Sequence, residues 1–252
     1  MAIALSVNLN KIALIRNSRE GNYPNVVAHG RLCLEAGAQG LTVHPRPDQR
    51  HIRPADVREL RALVSCYKGT EFNIEGNPFA APQGAYPGLL SLIEETRPEQ
   101  VTLVPDSNEQ LTSDHGFDLT KDCERLKPII EQIHEYGCRI SLFMDPDLAQ
   151  IKLAATLGVQ RIELYTGPFA NTFSHGSPAA TQACLNQFSE AAQCARALGL
   201  AVNAGHDLNL DNMQLFKTVP ALSEVSIGHA LTVDALSMGL ENAVKAYLEV
   251  CG

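Results

Sequence analysis

Three of the eight histidines stand where a short β-rich run gives way to a turn: His44 in GLTVH, His206 in NAGH and His229 in SIGH. Glu75 closes a fourth such run, FNIE, and Glu163 lies inside a fifth, RIELY; Asn8 ends SVN and Asp145 follows SLFM. Taken singly, each has a plain structural reading. A histidine at a strand end is often a satisfied structural group, and Asp145 before Pro146 reads as a turn or helix cap. Taken together, imidazoles of ordinary pKa near about 6.5 and glutamates near about 4.3 can be tuned toward neutrality by burial, which equips a site for proton transfer. The same His, Glu and Asp set would suit a divalent metal, and residue types alone leave that alternative open.

Positive charge favours an anionic ligand. Arg16, Arg19, Arg46 and Arg50 fall in segments that read as loops after the first two β-rich runs, where a guanidinium fork can clamp a phosphate. Arg46 and Arg50, in PRPDQR, could instead pair with Asp48 on the surface. Gly228 in SIGHAL offers a second anion-binding turn, because a glycine ahead of a helix lets free backbone N–H groups approach a ligand. Gly205 in NAGHDL offers a similar turn. Two such regions would accommodate two phosphorylated substrates.

These residues need a scaffold that brings strand ends together. The runs IALSVNL, GLTVH, TEFNIE, QVTLVP, CRISLFMD, QRIELYTG, LAVNAG and SEVSIGHA alternate with amphipathic stretches such as NVVAHGRLCLEAG and PADVRELRALV. Eight βα units in 252 residues, 45% hydrophobic, predict an α/β fold: a single-domain (β/α)8 TIM barrel over residues 1–252, with a doubly wound sheet as the alternative. In a barrel, the ends of the strands face one mouth, so the polar strand-end residues converge there. Two segments exceed a minimal connection, PDSNEQLTSDHGFD (105–118) and GPFANTFSHGSPAA (167–180), and are expected as loops on that face, the first a candidate lid.

The net charge of −8 argues against nucleic acid or an anionic membrane as the main partner, since either calls for a basic face. The N-terminal stretch is too short for a secretory signal and no run reaches membrane-spanning length, so the expectation is a cytoplasmic protein. Seven cysteines, odd in number and without C-x-x-C pairing, read as reduced thiols.

The segments SVNLNKIALIRNSR, GLTVHPRPDQRHI, FNIE, QVTLVP, VNAGHDL and SIGHAL resemble the pyridoxine 5'-phosphate synthase family almost end to end, in order and with compatible spacing. The one exception in length is the loop around NPFAAPQGAYPG. The resemblance implies a transferase-type ring closure of 3-amino-2-oxopropyl phosphate with 1-deoxy-D-xylulose 5-phosphate, releasing inorganic phosphate and water. It implies no redox or metal cofactor, and a homo-oligomer, an octamer built as a tetramer of dimers. By the same resemblance His44 and Glu75 are bases, His206 is the proton donor and Glu163 supports the transition state. Asn8, Arg19, Gly228 and His229 would contact the aminoketone phosphate; Arg46, His51 and Thr112 would contact the deoxyxylulose phosphate.

Two departures from the family pattern stand out. Asn10 and Lys11 replace an Asp-His pair, which puts an ammonium where the family has an imidazole, and Asp207 replaces a glycine that often follows the donor histidine; all three remain candidate substrate contacts. Rival readings are another phosphosugar isomerase or aldolase, marked by a strand-end lysine or a metal requirement, and a non-catalytic binder of a phosphorylated vitamin. Lys11 is the one lysine near a strand end.

Overall fold

The β-rich runs alternate apolar with polar or small residues, so each strand has one face that seeks a hydrophobic layer and one that does not. The computed structural model, which describes residues 2–252, places them as β1 (Ala4–Asn8), β2 (Gly40–Val43), β3 (Glu71–Gly76), β4 (Gln100–Leu103), β5 (Arg139–Met144), β6 (Arg161–Tyr165), β7 (Ala201–Gly205) and β8 (Leu222–Ile227). Each pairs in parallel with the next, and β8 returns to β1 through Ala4 opposite Glu224 and Val7 opposite Ile227, closing the barrel.

The helices are α1 (Asn10–Asn17), α2 (Val26–Glu35), α3 (Pro54–Val64), α4 (Leu89–Thr96), α5 (Leu119–Glu135), α6 (Leu148–Thr156), α7 (Gly167–His175), α8 (Pro178–Ala197), α9 (Leu210–Phe216), α10 (His229–Met238) and α11 (Leu240–Cys251). Two helices rather than one follow β1, β6 and β8, so α1, α7 and α10 are short insertions directly above strand ends.

Apolar strand residues such as Leu5, Leu41, Ile74, Val101, Leu142, Ile162, Val202 and Val225 are fully buried beneath the helices. Each such side chain contributes about 1.5–3 kcal/mol of transfer free energy. Their alternates face inward, and there this barrel departs from the branched apolar filling usual in the fold. Ser6 Oγ meets Thr42 Oγ1 at 2.7 Å, Asn73 donates to Thr42 at 3.3 Å, and Thr102 donates to Asn73 at 3.2 Å and to Glu163 at 3.4 Å. At the N-terminal floor Arg161 donates to Glu224 at 2.8 Å and to Asn203 at 3.0 Å, while Gln100 donates to Glu224 at 3.3 Å. These inward polar groups are partnered with one another, as buried polar groups usually are; the Ser141 hydroxyl on β5 is an exception, buried without a hydrogen-bond partner.

Two expected loops are helical instead. NKIALIRN forms α1, and Arg16, proposed above as a phosphate clamp, is 1% exposed within it. Its guanidinium grips Asp56 at 2.5 and 2.8 Å and donates to the carbonyl of His51 at 3.0 Å, so its donors are committed to the scaffold. Asn17 adds hydrogen bonds to the carbonyls of Gln49, Arg50 and His51. The segment expected as a loop after β6 forms α7 and the start of α8, with Ser177 capping α8 through the N–H of Ala180. Phe169 anchors α7 by packing on Phe188 and Phe216 at 6.3 and 5.0 Å between ring centroids.

No helix among the described residues is long and apolar enough to cross a membrane. All seven cysteines are free, four of them buried.

Candidate active site

The C-terminal mouth of the barrel encloses a cavity of about 330 Å3, and the polar strand-end residues gather around it. Asn8, Asn10, Lys11, His44, Arg46, His51, Glu75, Thr112, Glu163, His206, Asp207, Gly228 and His229 all line it, as does Arg50. Arg19 does not; it is exposed in the turn that follows α1. Asp145 is also outside, its carboxylate accepting the N–H of Gly116 at 3.2 Å, which matches its plain reading as a turn residue.

Alternation along the strands explains the convergence. Asn8, His44 and Glu75 stand two residues beyond the inward Ser6, Thr42 and Asn73, one step further toward the mouth on β1, just past β2 and on β3. Asn8 donates from Nδ2 to Glu75 Oε2 at 3.2 Å and accepts the N–H of Asn10 at 3.0 Å, while Asn10 accepts the N–H of His44 at 2.9 Å. The first helix turn therefore ties together the ends of three strands.

The Glu75 carboxyl is held well above the usual carboxylate range by burial, then by repulsion from Glu163, Asp106 and Glu224; the Asn8 hydrogen bond opposes this weakly. Glu163 is pushed up to about 8, again by burial first and Glu224 second. His44 is shifted the other way: burial lowers its pKa, and Asp106 only partly offsets that. Its Nδ1 lies 3.9 Å from Glu75 and its Nε2 lies 3.6 Å from Asp106. A neutral imidazole beside a carboxyl whose pKa burial raises can exchange protons with it. Burial brings His51 down to about 2, and its Nδ1 accepts the N–H of Ile52 at 3.0 Å.

The segment between β4 and α5 arches over the mouth and is stapled by arginines. Arg46 pairs with Asp106 at 2.8 Å and donates to the carbonyls of Ser107 and Gln110 at 2.5 and 3.1 Å. Arg50 pairs with Asp48, as its plain reading held, and also reaches the carbonyls of Asn108, Gln110 and Leu111. Thr112 Oγ1 in this arch meets His206 Nε2 at 2.6 Å.

Two glycines are set by close approach. A Cβ at Gly228 would sit 3.0 Å from Asn8 Cβ, and one at Gly205 would sit 2.6 Å from Glu163 Oε1 and 3.0 Å from the carbonyl of Ser226. Gly205→Ala is therefore expected to displace the Glu163 carboxylate and reduce turnover by about 10-fold or more, a change of the order caused by small misplacements in a site. Steady-state kinetics beside a thermal melt would check it; wild-type turnover in a folded variant would show that Glu163 need not sit where it does.

Sequence reasoning missed Asp106, Phe143 and Ser226. Asp106 is 4% exposed and stands in VPD directly after the fourth β-rich run, the kind of position that drew attention to His44. Ser226 could have been found from the Glu224, Ser226, Gly228 alternation. Phe143 carries no polar signal. No group of three or more His, Cys, Asp or Glu side chains among the described residues is placed to hold a metal ion.

Comparison with known proteins adds an independent line. The model of the family described as "Pyridoxal phosphate biosynthesis protein PdxJ" matches residues 5–252. The pyridoxine 5'-phosphate synthase of Xanthomonas campestris is 55% identical over 251 residues, covering 99% of this chain and 96% of that one. The synthase of Xanthomonas axonopodis is 56% identical, covering 99% and 97%, and that of Xylella fastidiosa is 52% identical over 247 residues, covering 98% and 94%. Among solved structures, a thiamine phosphate pyrophosphorylase from Pyrococcus furiosus superposes with a TM-score of 0.59 at 14% identity, covering 99% of this chain and 95% of that one. A 4-hydroxy-2-oxoglutarate aldolase superposes with a TM-score of 0.60 at 12% identity, covering 99% and 94%. At such identities the likeness concerns the barrel alone.

Proposed function

Because the chain belongs to the family described as pyridoxal phosphate biosynthesis protein PdxJ, an enzyme family whose relatives above are pyridoxine 5'-phosphate synthases, we propose that it condenses 3-amino-2-oxopropyl phosphate with 1-deoxy-D-xylulose 5-phosphate. The products are pyridoxine 5'-phosphate, inorganic phosphate and water. The observation that carries this reading is the gathering of Glu75, His44 and His206 around one cavity, with Glu75 and His44 both shifted away from their charged forms by burial.

Amine addition, dehydration, phosphate elimination and aromatisation each move protons between neighbouring atoms, and the groups that move them must sit within hydrogen-bond reach of one substrate pair. In this reading Glu75 and His44 take protons from the aminoketone carbon and substrate hydroxyls. His206 protonates departing oxygens, and Glu163 supports the charge that develops between them. The N-terminus of α10, with Gly228 and His229, and Asn8 receive the aminoketone phosphate; Arg19, outside the cavity in the turn after α1, joins them only when that turn folds inward over the bound phosphate. Arg46, His51, Lys11 and Thr112 receive the pentulose phosphate, Arg46 sharing its fork between Asp106 and the ligand; Asn10 and Asp207 complete the polar wall. The arch over residues 105–118 is the lid, excluding water from reactive intermediates.

We assign residues 1–252 as one catalytic domain working in the cytoplasm as a homo-oligomer. Exposed Leu14 and Ile15 on α1 and Val233, Leu236 and Met238 on α10 support an assembly, since two helices in contact carry apolar surface that water would otherwise wet.

The test mixes purified, metal-stripped protein with both phosphates and follows pyridoxine 5'-phosphate by its ultraviolet absorbance together with phosphate release. Product formed at a rate that chelator leaves unchanged is the expected result. No product, with both substrates shown to bind, would overturn the reading.

A further inference from the structure

We propose that Asp207 is a positioning residue that fixes which ring nitrogen of His206 delivers the proton; this rests on the synthase reading above. Residues adjacent in an extended chain point to opposite sides, so a histidine and the next aspartate do not ordinarily meet. Here His206 adopts φ +99°, a left-handed backbone that is strained for a non-glycine residue and persists only where its surroundings demand it. That turn breaks the alternation. It brings Asp207 Oδ2 to 2.8 Å from His206 Nδ1.

The other ring nitrogen and the ring edge are also engaged. Nε2 meets Thr112 Oγ1 of the arch at 2.6 Å, and the Tyr165 ring abuts edge-on, with centroids 5.3 Å apart and planes at 78°. The backbone of Asp207 is anchored in turn, its carbonyl accepting from the fully buried Asn212 at 3.1 Å. The carboxyl is held below its usual range, first by the hydrogen bond with His206 and then by the charges of His206, His229 and Lys11.

An ionised carboxylate only accepts hydrogen bonds. Nδ1 must therefore carry a hydrogen in every protonation state of the ring. The neutral ring presents Nε2 as a bare lone pair to the Thr112 hydroxyl, and the protonated ring has one proton free to leave, on Nε2. Without Asp207 both tautomers are open and only part of the population faces the cavity with the correct nitrogen, the role the aspartate serves in His-Asp pairs of hydrolases. As a partly exposed ion pair it would contribute little to stability, so its expected signature is in proton delivery.

The experiment labels histidine with 15N and reads imidazole tautomers by long-range proton–nitrogen correlation, His206 being assigned by its loss in His206→Gln. The wild-type neutral ring is expected as the Nδ1–H tautomer. Asp207→Asn offers an N–H to Nδ1 and is expected to switch the ring to Nε2–H, with kcat down by about 10²-fold and KM for both phosphates nearly unchanged. An unaltered tautomer in Asp207→Asn, or a loss confined to KM, overturns the proposal; the latter makes Asp207 a direct substrate contact. A wild-type protein with the Nδ1–H tautomer that forms no pyridoxine 5'-phosphate sinks the synthase reading while still supporting the pair.

Discussion

Glu75→Gln is expected to lower turnover by about 10³-fold, the middle of the range for removing a general base. The amide keeps the volume and can still accept the hydrogen bond that Asn8 donates, so the barrel mouth should keep its shape while the group that takes the proton is lost. The pH profile discriminates further. A base works only when ionised, and burial together with Glu163, Asp106 and Glu224 raises the Glu75 pKa well above the ordinary carboxylate value. Wild-type kcat/KM should therefore climb with pH through that raised value and level off above it. In Glu75→Gln this acid limb should disappear. Turnover near the wild-type level, or an acid limb in the same place, would remove Glu75 from the role of base.

The second large effect concerns stability. Arg16→Ala removes both donors that hold Asp56 and a third that holds the His51 carbonyl, leaving a carboxylate that is 7% exposed without its counter-charge. Breaking a buried pair from one side costs about 3–5 kcal/mol, against a total of about 5–15 kcal/mol for ordinary domains. Urea denaturation should show that loss. The double variant Arg16→Met with Asp56→Asn should recover part of it, because the asparagine oxygen can still accept the Arg53 N–H that starts α3. A single-variant loss below about 1 kcal/mol, typical of an exposed pair, would mean that Arg16 holds nothing in place.

Much of this architecture was readable from the chain. Eight runs with turn residues at their ends predicted the eight strands, and inward alternation carried His44, Glu75, Glu163, His206 and His229 to one cavity. The helix α1 was not readable because its buried positions are Ile12, Ala13 and Arg16: the residue that completes the buried stripe is an arginine, which any polarity pattern assigns to solvent. The partner that reverses this assignment, Asp56, lies forty residues on. α7 was missed for a related reason, since Phe169 is its one buried residue and a single anchor makes no period. Contacts such as Thr112 with His206, 94 residues apart, depend on how the arch crosses the mouth, which no local spacing encodes. Asp106 escaped notice as an acid in a turn, yet it faces both His44 and Arg46.

The charged floor of the barrel has a consequence for how such a sequence can drift. Arg161 and Glu224 lie on β6 and β8 and are linked through Asn203 and Gln100; replacing either alone leaves the other's largely buried charge without its direct partner. Substitutions there should pass through selection in compensated sets, so the floor positions of β4, β6, β7 and β8 ought to covary across lineages while the apolar outer faces of the same strands exchange Val, Ile and Leu freely.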